Sequence, residues 1–87
     1  MKAVVTVIGK DKVGILAATS AEVAKANANV IEVTQSVLED FFAMIMLIDI
    51  TQMSISIEEL RERLKENVKS MNIHVMHEDI FNSMHRI

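Results

Sequence analysis

With 87 residues the chain has room for one hydrophobic core, so a single domain over residues 1–87 is expected. A net charge of −3, with no Trp, no Tyr and only 3 Phe, argues against the basic, aromatic-lined surfaces that hold nucleic acids. The absence of Cys removes disulfides, thiolate metal sites and cysteine catalysis, and fits a cytoplasmic protein.

Residues 2–8 are rich in β-branched side chains and stop at Gly9, which predicts a first strand. Both alternating sets, Val5/Val7 and Val4/Thr6/Ile8, are largely apolar, as in a strand buried on both faces. The stretch Gly9-Lys10-Asp11-Lys12-Val13-Gly14-Ile15-Leu16 follows, bracketed by the only two glycines of the chain. Glycine tolerates positive φ and close approach of a ligand to the backbone. A strand that turns into a helix here leaves unpaired N–H groups at the helix start, where the helix dipole favours an anion such as a carboxylate. This loop is the best candidate for a site.

From residue 15 to about 28 the pattern is helical. Leu16, Ser20, Val23 and Asn27 fall on one face with Ala17 and Ala24 beside them, and Glu22 and Lys25 fall opposite. Asn27 and Asn29 are read as the stop. Residues 30–38 predict a second strand with faces Ile31/Val33/Gln35/Val37 and Val30/Glu32/Thr34/Ser36/Leu38. Glu39-Asp40 is of hairpin size. Residues 41–50 predict a third strand, with Phe42, Met44, Met46, Ile48 and Ile50 on one face. The apolar run within it, residues 41–48, is far short of the roughly 20 residues that span a membrane, so no membrane role is expected.

Ser56-Ile57-Glu58-Glu59 matches a capping box. The helix after it carries the stripe Ile57, Leu60, Leu64, Val68, Met71, with Glu59/Arg63, Glu62/Lys65 and Glu66/Lys69 as ion pairs on its exposed side and Asn72 as its stop. Residues 73–79 predict a fourth strand. In the tail, residues 80–87, the side chains Ile80, Phe81, Met84 and Ile87 recur at helical spacing. So short a helix does not hold alone in water, and the tail is expected to dock on the domain or on a partner subunit.

The order β-α-β-β-α-β predicts an α+β, ferredoxin-like sandwich. It would have a four-stranded antiparallel sheet, two helices on one face and a short C-terminal helical tail. The other face would be open, yet strands one and three are apolar on both sides. A second copy is therefore expected to cover that face or an edge, most simply as a homodimer.

In this arrangement the chain resembles an ACT domain, the small regulatory module of amino-acid metabolism. The resemblance rests on the first strand, the loop Asp11-Lys12-Val13-Gly14-Ile15-Leu16, the Asn29-Val30-Ile31 start of the second strand and the element order. It covers nearly the whole chain and is nearest to the free-standing ACT proteins of bacteria and archaea. Many members carry Pro where this chain has Val13, and some a polar or imidazole side chain where it has Gly9. The resemblance implies a ligand at an interface between two domains, touched by the loop and by the start of strand two. The matching positions are Asp11, Gly14, Ile15, Leu16, Asn29 and Val30. Asp11 would hold an ammonium group, the amides near residues 14–16 a carboxylate, and Asn29 either.

Each residue also has a purely structural reading. Asp11 caps a helix, Gly14 serves the turn or a tight helix contact, and Asn29 ends the helix. His74 and His77, three apart in a strand, point to opposite faces, so no metal site is expected. The seven Met are core or interface filler. No nucleophile–base pair or cofactor motif is present, and no enzyme activity or cofactor is expected. The expected function is a regulatory module sensing an amino acid or similar small metabolite at a homodimer interface and acting on a protein effector. The alternative is a ligand-free assembly module.

Overall fold

The computed structural model describes residues 1–10, 14–68 and 71–84. The elements are β1 (Lys2–Gly9), α1 (Ile15–Lys25), β2 (Asn29–Leu38), β3 (Phe41–Asp49), α2 (Ile57–Asn67), β4 (Asn72–His77) and α3 (Glu78–Met84). The strands form one antiparallel-paired sheet in the order β2-β3-β1-β4, the expected ferredoxin-like arrangement. The most apolar strands, β1 and β3, are central, where both edges are paired with neighbouring strands. Among the described residues no helix is long and apolar enough to cross a membrane.

The core lies between the sheet and the α1/α2 layer. Val5 and Val7 of β1, Met44, Met46 and Ile48 of β3 and Val75 of β4 meet Leu60 and Leu64 of α2 and Val23 of α1. Alternation along β3 follows the sequence pattern, with Phe42, Met44, Met46 and Ile48 buried and the intervening side chains partly or fully exposed. On the open face Val4 is buried, while Ile8, Ile45 and Phe41 stay exposed, Phe41 at 54%. Lys10 Nζ lies 5.9 Å from the Phe41 ring centroid, within cation–π range. At the other end of this face α3 closes part of the sheet from within the chain. Glu78, Phe81 and Asn82 line one cleft with Val4, Ile45 and Leu47. Ile87 lies outside the described residues.

Several details depart from the sequence reading. The inward face of α1 is Ile15, Thr19, Glu22, Val23 and Ala26, one position away from the expected one. Leu16, Ala17 and Ala24 face out, and Glu22 is buried, with its carboxylate 3.3 Å from the exposed Lys25. With Ala on several sides, this helix has too little contrast for its phase to be set by periodicity. Its large anchor is Ile15, which the turn drives into the core.

α2 ends at Asn67, several residues before Asn72. Asn67 Nδ2 donates to the Arg63 carbonyl at 2.8 Å, a side-chain bond that competes with continued helix. Only half of the capping box forms. Ser56 Oγ accepts from the Glu59 N–H at 3.1 Å, while the Glu59 carboxylate pairs with Arg63 at 2.7 Å. Glu62 and Lys65 are not within ion-pair distance, and Lys69 lies outside the described residues. β4 stops at His77, because Glu78 already opens α3.

Candidate functional site

Gly14 stands at the start of α1 with φ 74° and ψ 3°, the left-handed conformation. An added Cβ there would meet no atom of the described residues within 4 Å. Of the two structural readings of this glycine, the turn requires it and tight packing does not. Its carbonyl accepts the first helical bond, from Ala18 N–H at 2.9 Å, and no side chain caps the helix start among the described residues. Asp11 lies outside the described residues. Ile15 is turned into the core, so only its backbone is free for a ligand, whereas Leu16 is 41% exposed beside it.

At the far end of α1 the chain reverses through a Schellman motif. Ala28 N–H donates to the Val23 carbonyl at 3.1 Å and Asn27 N–H to Ala24 at 3.0 Å, with Asn27 at φ 63°. Asn27 Nδ2 also donates to the Gln52 carbonyl at 2.8 Å. This turn delivers Asn29 and Val30 to the start of β2, both exposed. β2 is an edge strand, and its pairing slips between Val30 and Glu32, so Ile31 is an extra residue. The bulge pairs Val30 with Ile48, separating it from the Glu32/Thr34/Ser36 set with which the sequence grouped it. Val30 therefore borders a shallow groove of about 530 Å³ beside α1, with Ala17, Ser20, Ala21, Ala24 and Asn29.

The expected site residues that lie among the described ones thus form two groups. Gly14, Ile15 and Leu16 sit at one end of α1, and Asn29 and Val30 beyond the other. The helix has 11 residues and spans about 16 Å. Within one chain the two groups do not form a single small-molecule site. Between them runs the exposed small-residue face of α1.

The histidines stand apart. His74 pairs with Thr6 on the open face, His77 with Ala3 on the helix face. No group of three or more His, Asp or Glu side chains is placed to hold a metal ion among the described residues.

The sequence model of the ACT domain matches residues 2–78. The chain belongs to the ACT domain family. ACT domains are regulatory modules that bind small ligands. A UPF0237 protein of Clostridium perfringens is 48% identical to this ACT domain over 89 residues, covering 100% of both chains. A UPF0237 protein of Methanopyrus kandleri is 43% identical over 88 residues, covering 99% of this chain and 98% of its own. Relatives in bacteria and archaea therefore consist of this one domain. A solved ACT domain protein from Streptococcus pneumoniae superposes with a TM-score of 0.77 at 30% identity, covering 93% of each chain.

A second candidate region carries no expected site residue. It is a cleft of about 450 Å³ between the β3–α2 connection, α2, β4 and α3. Arg61 of α2 lines it, half-buried, and donates from Nη2 to the Val75 carbonyl at 3.0 Å. The sequence pattern puts the charges of α2 on a solvated face and does not set Arg61 apart from them. The available signal was its position next to Leu60 and three before Leu64, at the border of the apolar stripe.

Proposed function

We infer that this ACT domain senses an amino acid or similar small metabolite at an interface between two copies of itself, and that ligand occupancy alters how the pair meets a protein effector. The observation that carries this reading is the split of the matching residues to opposite ends of α1. Two copies that pack their α1 faces antiparallel bring residues 14–16 of one next to residues 29–30 of the other. The face between is suited to such an approach, since Ala17, Ser20, Ala21 and Ala24 let helices come close. The free edge of β2 lies beside it. Amides at the α1 start would take the carboxylate, Asp11 the ammonium, and Asn29 of the other copy would close the site.

Complementation tests the shared site. The protein is screened against the twenty amino acids by thermal shift, in which a ligand at 100 times its Kd adds about 2.7 kcal/mol. Asp11→Ala and Asn29→Ala are each expected to lose the shift while remaining dimeric in solution. Mixed dimers of the two variants contain one intact site, so mixing should restore part of the binding. Binding by a monomer, or no restoration on mixing, would overturn the shared site. No shift with any amino acid would favour the assembly reading, to which the exposed Ile8, Phe41 and Ile45 of the open face already lend weight.

A further inference from the structure

We propose that the cleft between α2, β4 and α3 is a second, separate ligand site, taking a small monocarboxylate with a branched apolar body. Its volume of about 450 Å³ lies in the range of small-molecule sites. Its walls are largely apolar, with Ile50 and Met53 after β3, Ile55 before α2, Val75 of β4 and Ile80 of α3, and Ser56 and His77 add polar groups to the lining. Into this setting the fold brings one permanent cation. Arg61 is half-buried, and no carboxylate oxygen lies within 4.0 Å of it among the described residues. Its one hydrogen bond among the described residues, to the Val75 carbonyl, fixes the guanidinium against β4. A guanidinium has five N–H donors in a rigid fork, so most remain for a ligand.

A partly desolvated cation without a counter-charge is costly, and an anion that brings its own apolar body relieves that cost. A carboxylate matches the guanidinium fork with two parallel hydrogen bonds. The anion should be singly charged. Arg61 is the only Arg or Lys lining the cleft among the described residues, and Glu58, one turn earlier on α2, stands exposed at its rim. A phosphate or dicarboxylate would meet that like charge with no second Arg or Lys among the described lining residues to offset it. The site lies within one chain, on other elements than the ends of α1, so it neither needs nor excludes the interface site.

Methyl-detected NMR titration of the full chain with isovalerate tests this. Saturable shifts are expected at Ile55, Val75 and Ile80, with the methyls of Ile15, Leu16 and Val30 silent. Isovaleramide, of the same shape without charge, should bind about tenfold or more weakly. Arg61→Gln should lose binding, and Arg61→Lys, which keeps the charge without the fork, should weaken it. Equal binding of isovaleramide, unchanged affinity in folded Arg61→Gln, or absence of shifts up to the solubility limit would overturn the proposal. So would leucine binding in the cleft with isovalerate silent, which would replace the monocarboxylate by a zwitterion. Shifts confined to the methyls of Ile15, Leu16 and Val30 would refute this site and leave the interface reading standing.

Discussion

Thr19→Val should make the protein more stable. Thr19 is fully buried on the inward face of α1, and its Oγ1 has no hydrogen-bond partner among the described residues. A helical Thr ordinarily bonds a carbonyl one turn back, and here it does not. A desolvated hydroxyl without a partner costs about 1–3 kcal/mol relative to its hydrated unfolded state. Valine has nearly the same shape and helix propensity, and its extra methyl adds about 0.8 kcal/mol of burial. The expected gain is about 1–3 kcal/mol, at about 4–8 °C in Tm per kcal/mol for a domain of this size. Urea unfolding should show a higher midpoint with unchanged m-value, and two protein concentrations separate folding from association. Thr19→Ser keeps the hydroxyl, drops the methyl and should lose about 1 kcal/mol. The order Val, Thr, Ser is therefore expected. A valine variant no more stable than the parent would refute the reasoning, because it would mean that the hydroxyl has a partner in solution.

Gly14→Ala should cost about 1 kcal/mol, attributed to holding alanine at φ 74°, since the new Cβ meets no atom of the described residues. Gly14→Asn should cost less, and denaturation midpoints in the reverse order would refute a conformational origin. Glu39 holds φ 54° in the two-residue β2–β3 turn, so Glu39→Gly should gain about 0.5–1 kcal/mol after the glycine's greater unfolded entropy is counted. An unchanged or lower Tm would argue against it. Asp49 accepts from the Thr51 N–H at 2.9 Å, and hydrogen bonds from the Thr51 hydroxyl and N–H hold its carboxyl below the ordinary carboxylate range. A depressed carboxyl contributes stability above its unfolded pKa and loses it as pH falls through the folded value. Asp49→Asn should therefore unfold earlier than the parent at neutral pH, with the gap closing below about pH 4. A gap that persists in acid would refute that origin.

The architecture was legible because its signals are local. β1 and β3 are runs of β-branched and apolar residues cut by Gly9 and Asp40, and α2 has one unbroken stripe behind a capping serine. What could not be read needed contrast or context. The alanines of α1 leave two or three phases equally apolar, and only the position of Ile15 over the core chose among them. The bulge at Ile31 was hidden because Val30 and Ile31 are both apolar, so either register looks sound. The division of the matching residues between the ends of α1 depends on where the helix stops in space. That follows from the Asn27 turn and not from the spacing of residues 14 and 29. Arg61 is unremarkable in a charged helix until β4 lies beside it.

The strand order also shapes how the chain is made. β1 is central, and both its neighbours come later in the sequence. Val7 waits for Met44, and Ala3 waits for His77. At about 5–20 residues per second of synthesis, Ala3 leaves the ribosome roughly 4–15 s before its β4 partner exists. The β2–β3 hairpin, closed by a two-residue turn, needs no such delay. A nascent chain should therefore present a formed hairpin to an apolar strand that is still open on its other edge. That interval is when a neighbouring chain on the same message, or a chaperone, can compete with β4 for β1.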